Sequence, residues 1–227
     1  MKLLDHPGVL ALDKPPGVSM ATSGAPGRSE AEIVARLLGA AGEPPTEGLR
    51  LVHRLDVGTS GVVLLARTDA AHASLQQAFQ EGGARKTYRA LVWGRPGPAE
   101  GAYQDPLGRD PKDGRRMAAR AGGKRSITRY RTLAAFRELS DLALSPETGR
   151  THQIRVHLTV HGHPIAGDDL YGDVTRWETV EEPALRRALA QLTRPLLHAE
   201  RIEIPAMGLD VSSPLPDDYV RVLQILR

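Results

Sequence analysis

The sequence predicts an α+β fold: a mixed, mostly antiparallel sheet flanked by helices and loops. Three observations carry that expectation. Segments with strand character outnumber those with helical periodicity. The two kinds do not alternate regularly, as the crossovers of a parallel sheet would require. In residues 87–93 and 126–131 polar and apolar side chains partly alternate, the pattern of a sheet with one wet face.

In chain order, the first strand is expected at residues 9–13. Ser29-Glu30-Ala31-Glu32 has the pattern of a capping box, in which Ser29 and Glu32 satisfy each other's backbone N–H groups. Ile33, Val34, Leu37 and Leu38 then make the apolar face of a helix, and Gly39 reads as its stop. An apolar strand is expected at 61–67. A helix over 69–80 places Ala71, Leu75, Ala78 and Phe79 on one side, with Gly82-Gly83 beyond it. Further strands are expected at 88–93, 127–136, 142–145 and 202–204. Between the last two lie a short helix at 152–161, positioned for capping by Thr151 and closed by Gly162, and a helix at 183–192. The latter opens with acids and Pro183 and carries Leu185, Leu189 and Leu192. Residues 22–28, 39–48 and 95–114 read as loops. None is long enough for a domain linker, so one domain is expected over 1–227.

The 227 residues are 41% hydrophobic and 25% charged, enough to bury a sizeable core. The absence of cysteine excludes disulfide scaffolds, thiolate zinc sites, iron–sulfur clusters and cysteine nucleophiles. No apolar run approaches the ~20 residues of a membrane helix. Lys2 is followed by Asp5, His6 and Pro7 rather than by a signal-peptide core, so a cytoplasmic protein without membrane contact is expected.

The net charge is only +3, but it is unevenly spread. Residues 109–137 hold ten Lys or Arg, among them Arg115, Arg116, Arg120 and Lys124, against Asp110 and Asp113. Such a segment suits a polyanion partner with salt-sensitive affinity. A solvated, flexible loop has the same composition.

Two stretches concentrate chemistry. His53-Arg54-Leu55-Asp56 precedes a Gly-bounded turn, Val57 to Gly61, that leads into the apolar strand. Such a turn can hold Asp56 at the mouth of a cleft as nucleophile, base or electrostatic stabiliser. It can equally use Asp56 as an Asx-type cap, with His53 and Arg54 on the surface. The second stretch, Thr148 to His157, clusters Arg150, Thr151, His152, Gln153 and Arg155 at a helix start, where guanidinium and N–H groups suit a phosphate or carboxylate. Helical spacing lets Arg155 face a cleft while Ile154 and Leu158 hold the core; a surface basic helix has the same pattern. Tyr88, two residues after Lys86, opens a strand and reads either as a core aromatic or as a stacking and proton-transfer residue. His152 and His157 are five residues apart and would diverge on a helix, and HExxH is absent, so no metal is expected. No Walker A, GxGxxG or GxSxG pattern is present, and no cofactor is expected.

Taken together, these residues resemble the RluA-type RNA pseudouridine synthases. His53-Arg54-Leu55-Asp56-x-x-Thr59-Ser60-Gly61 is similar to the family signature. Asp13-Lys14-Pro15-Pro16-Gly17 resembles its "NKPxG" block, residues 86–94 "KxYxAxVxG", and residues 123–130 "GKxAxTxY". Residues 148–158 with 162–172 resemble "TGRTHQIRVHL…GHPIxGDxxYG", residues 192–199 "LxRxxLHA", and Ser213 to Asp218 the family's tail. Asp13 and Ser126 depart from the common Asn and Ala, and residues 19–28 lack the usual apolar-His pattern.

The resemblance implies isomerisation of uridine to pseudouridine in ribosomal or transfer RNA, after the base is flipped out. It implies that Asp56 is the essential acid, that Arg155 pairs with it, that Tyr88 packs on the base and assists proton transfer from C5, and that Arg54 fills the space of the flipped nucleotide. His53, Thr59, Lys86, Arg150, His152 and Gln153 are expected to contact the RNA. From charge alone, so are Arg115, Arg116, Arg120 and Lys124. The blocks begin near residue 9, so the small N-terminal RNA-binding domain of many relatives is not expected, and a monomer reading a local stem-loop is. Two other readings fit less of the sequence: an RNA-binding or RNA-chaperone protein of the same fold whose turnover is dispensable, and a carboxylate glycoside hydrolase. The latter needs a second carboxylate, which the GRTHQIR block does not offer.

Overall fold

The structure is a computed structural model, described over residues 1–21 and 29–227. The loop expected at 22–28 lies outside the described residues. Along the chain run β1 (Lys2–His6), β2 (Val9–Lys14), α1 (Glu30–Ala41), β3 (Arg50–Leu51), β4 (Ser60–Ala66), α2 (Asp69–Gln80) and β5 (Arg85–Trp93). Then come β6 (Glu100–Tyr103), β7 (Leu107–Arg109), β8 (Met117–Ala119), β9 (Thr128–Ala135), β10 (Leu139–Pro146), α3 (Gln153–Val160) and α4 (Pro183–Ala190). The last elements are β11 (Leu197–Ile204), β12 (Leu209–Ser212) and α5 (Asp217–Leu226). The α+β class with a mostly antiparallel sheet is as expected. The chain forms two compact units, Met1–Lys86 with Ala199–Pro214, and Thr87–His198 with Leu215–Arg227.

In the first unit β2 pairs antiparallel with β1 on one side and β4 on the other, Leu12 opposite Val63. All seven residues of β4 are buried, as its unbroken apolar run requires. Val9, Val62, Leu64, Leu75, Ile202 and Val211 make a core in which each large side chain contributes about 1.5–3 kcal/mol. Gly61 is bound to its place: its φ is +115°, and a Cβ there would lie 2.2 Å from the Ala199 carbonyl oxygen.

The second unit is built on the antiparallel ladder β5–β10–β9–β6. Its core joins Leu91, Leu142 and Leu144 to Ile154 and Leu158 of α3, Leu185 and Leu189 of α4, and Tyr219 and Val222 of α5. Buried Asp141 accepts hydrogen bonds from Arg89 Nε at 3.1 Å and Tyr219 Oη at 2.7 Å, so its charge is matched inside the core. β7 and β8 form a hairpin, Arg109 opposite Met117.

Three local expectations are corrected. The capping box at Ser29 is present, but α1 runs through Gly39 to a left-handed Gly42, φ 73°. A mid-helix glycine costs only about 1 kcal/mol, and the true stop is the glycine that can adopt positive φ. Thr151 does not cap α3. The cap position is His152, itself left-handed at φ 54°, without a side-chain cap bond. Finally, the 95–114 loop contains β6 and β7. Each is three or four residues long, too short to show an alternation.

Candidate functional site

In the first unit, the turn carrying Asp56 is held from several sides. Thr59 N–H donates to the Asp56 carbonyl at 3.1 Å, and Gly17 N–H to the Val57 carbonyl at 2.8 Å. Lys14, 1% exposed, donates from Nζ to the carbonyls of Val57 at 3.2 Å and Pro15 at 3.0 Å. Asp13 accepts from Ser213 Oγ at 2.8 Å. Residues 14–17 thus hold the turn at 53–61, and Ser213 holds the neighbouring Asp13. Leu55 is buried on one side of Asp56, and Thr59 is buried with an Oγ1 that has no partner among the described residues. Arg54 is exposed.

His53 has a different environment from the surface position its neighbours suggest. Its ring stacks on Phe79 at 4.7 Å, and its Nε2 accepts the Leu64 N–H at 3.0 Å. Burial, aided by the nearby charge of Lys86, pushes its pKa down to about 3, so the ring is neutral with its proton on Nδ1. Lys86 lies 6.0 Å from the Phe79 ring centre, and burial lowers its pKa as well.

The second unit carries Tyr88 and Arg155. Tyr88 is half-buried on β5 against the core, opposite Leu144, which in turn faces Tyr130. Arg155, 7% exposed, donates from Nε and Nη2 to the two carboxylate oxygens of Asp168 at 2.7 and 2.8 Å. Asp168 Oδ1 also accepts the N–H groups of Leu170 and Tyr171, both at 3.1 Å. The carboxylate that the sequence reading did not find beside Arg155 is therefore present, thirteen residues away. The fold brings it back through the 162–172 segment. Tyr171 extends the cluster. Its ring lies under the Arg155 guanidinium at 5.0 Å, and its hydroxyl accepts the Met117 N–H at 2.8 Å and contacts His152 Nδ1 at 2.7 Å. Burial raises the Tyr171 pKa, so it stays a phenol at neutral pH.

Gln153 is a clamp. Its Oε1 accepts from Thr148 Oγ1 at 2.6 Å and Arg150 N–H at 3.1 Å, and its Nε2 donates to the Ile127 carbonyl at 2.8 Å and Thr128 Oγ1 at 3.0 Å. Arg150 is exposed and reaches the Arg125 carbonyl at 3.3 Å. His157 lies between Thr128 Oγ1 and the Asp105 carbonyl, and His161 meets the Asp105 carboxylate at 2.7 Å. In the basic segment Arg115, Arg120 and Lys124 are exposed, while Arg116 is half-buried at the β7–β8 hairpin. Among the described residues no helix is long and apolar enough to cross a membrane.

Sequence reasoning missed Lys14, Asp168 and Tyr171 as working parts. All three nonetheless stand in blocks that the resemblance picks out, Lys14 in residues 13–17 and Asp168 and Tyr171 in residues 162–172.

A family model described as RNA pseudouridylate synthase matches residues 8–159. The chain is 38% identical over 227 residues to an "uncharacterized RNA pseudouridine synthase" of Mycobacterium bovis, covering 96% of this chain and 70% of that one. It is 34% identical to a "ribosomal large subunit pseudouridine synthase D" of Pseudomonas aeruginosa, covering 96% and 69%. Among solved structures, "Human RNA Pseudouridylate Synthase Domain Containing 4" aligns with a TM-score of 0.75 at 25% identity, covering 100% of this chain and 92% of that one.

Proposed function

The chain belongs to the RNA pseudouridylate synthase family, whose members are isomerases, and on that premise we propose that it converts uridine to pseudouridine in structured ribosomal or transfer RNA, with Asp56 as the essential acid. The N1–C1′ bond breaks, the base turns, C5 bonds to C1′, and the C5 proton is lost to N1 or solvent. Atoms balance without a redox partner or co-substrate. Asp56 acts as the nucleophile toward C1′ or the base, or as the base that removes a ribose proton. Tyr88 packs on the uracil and assists the C5 proton transfer, and Arg155, held by Asp168, serves as the basic residue of the reaction. Arg54 occupies the gap left by the flipped nucleotide, and the basic segment offsets the cost of flipping through phosphate contacts. The protein works in the cytoplasm as a monomer.

The observation that carries this reading is the turn at Asp56. A buried lysine and a glycine N–H both bond the Val57 carbonyl of one short loop, which carries one acid in a fixed frame. Hydrolysis to free uracil would need a second working carboxylate. Asp168, the acid beside Arg155, is committed to that arginine and two backbone N–H groups.

The test is to incubate the protein, and Asp56→Asn in parallel, with total RNA from a strain lacking it. New pseudouridines are then mapped by a chemical adduct that stops reverse transcription. A new stop with wild type alone supports the reading and names the RNA. Intact RNA binding without any stop, or release of free uracil, contradicts it.

A further inference from the structure

The arginines of the basic segment are not equivalent. Arg115 donates from Nε and Nη2 to Asp113 at 3.2 and 3.1 Å and is otherwise in solvent. Arg120 Nη1 donates to the Arg109 carbonyl at 3.2 Å, and Arg109 Nη1 to the Gly114 carbonyl at 2.6 Å, so these two brace the hairpin itself. Arg116 differs. Its Nε is buried with no acceptor among the described residues.

Its position is nonetheless fixed. The guanidinium carbon lies 5.2 Å over the Tyr171 ring, and the N–H of the next residue, Met117, donates to the Tyr171 hydroxyl. That hydroxyl is gripped by His152, the only non-glycine at positive φ among the described residues, an arrangement that costs strain. The same ring carries Arg155 at 5.0 Å. Two guanidinium groups therefore share one aromatic ring, and the Asp168 carboxylate beside it is bonded by Arg155. Arg116 has Asp113 as a nearby charge, but its Nε keeps an unmatched donor on a planar fork, the geometry that binds a phosphate oxygen pair.

We propose that Arg116, seated on Tyr171, is the phosphodiester ligand of the β7–β8 hairpin, and that Tyr171 sets its distance from Arg155. A backbone phosphate held there is held in register with Arg155. This rests on the pseudouridine synthase reading and names the single residue through which the hairpin grips RNA most firmly.

The experiment measures binding of unmodified, in vitro transcribed large-subunit ribosomal RNA as a function of salt, for wild type, Arg116→Gln, Arg115→Gln, Arg120→Gln and Arg116→Lys. Arg116→Gln is expected to reduce the slope of log K against log salt by about 0.7–0.9, the share of one phosphate, and by more than either of the other glutamine variants. Arg116→Lys keeps the charge and so keeps the slope, but binds more weakly because the fork is gone. It also covers the case in which the glutamine variant fails to fold. A wild-type slope in Arg116→Gln, an equal loss in Arg115→Gln or Arg120→Gln, or a lost slope in Arg116→Lys overturns the proposal. A wild type that binds no RNA defeats the functional reading and this one together. A wild type that binds RNA while Arg116→Gln matches it defeats this one alone.

Discussion

Arg155 and Asp168 form a two-point ion pair, Nε to Oδ2 at 2.7 Å and Nη2 to Oδ1 at 2.8 Å, with both side chains almost wholly out of solvent. The pair ties the first turns of α3 to the segment that follows it. Its energetic meaning is asymmetric: a buried pair adds little over an apolar substitute, but removing one partner strands the other. Asp168→Asn is therefore expected to lower unfolding stability by about 3–5 kcal/mol, read from denaturant midpoints. A loss under about 1 kcal/mol would mean that water reaches Arg155 freely.

His53 makes a pH prediction with a definite sign. Its pKa is about 3 when folded and 6.5 in the unfolded chain, so between these values the unfolded state binds more protons. The neutral ring therefore contributes stability fully above pH 6.5, and that contribution is lost as pH falls toward 3. The slope from this one group is at most about 1.4 kcal/mol per pH unit. His53→Gln keeps an acceptor for the Leu64 N–H but does not titrate. Its stability is expected to fall less steeply than wild type between pH 6.5 and 4.5; parallel curves would refute the assignment.

Gly61 ties the Asp56 turn to the sheet. Alanine there meets both a positive φ of +115° and the Ala199 backbone, with its Cβ 2.2 Å from O and 2.7 Å from C. Backbone cannot move aside as a flexible side chain would. Gly61→Ala is expected to cost about 3 kcal/mol or more and to appear mostly in the insoluble fraction on expression. A soluble variant with wild-type melting would show that the turn is not held as described.

What the sequence made legible follows the strength of local signals. α2 occupies the span expected from its apolar spacing, and Thr68 caps it through the Ala71 N–H at 3.1 Å. The start of α1 was readable because a capping box is a four-residue signal; its end was not, because two glycines competed. α5 was passed over because its cap position is Pro216, which offers no side-chain acceptor. The short strands β3, β7 and β8 exist only through their partners, and two or three residues carry no period of their own. At the site, Asp56 and Arg155 could be singled out from their blocks. Asp168 could not be joined to Arg155, because the link is made by the turn after α3 rather than by helical spacing. His53 and Gln153 looked like surface contacts because their polarity was visible, while their backbone partners, Leu64 and Ile127, were not.

Tritium release shows whether Asp56 carries an isomerisation at uridine C5. RNA transcribed with 5-tritiated uridine, with the sequence located by the mapping experiment, is incubated with wild type and with Asp56→Asn at equal concentration. Both proteins are first checked for equal RNA affinity. Wild type is expected to release tritium to water stoichiometrically, and Asp56→Asn only at the no-enzyme background. Equal release by both proteins, or none by a wild type that binds the RNA, would contradict that role for Asp56.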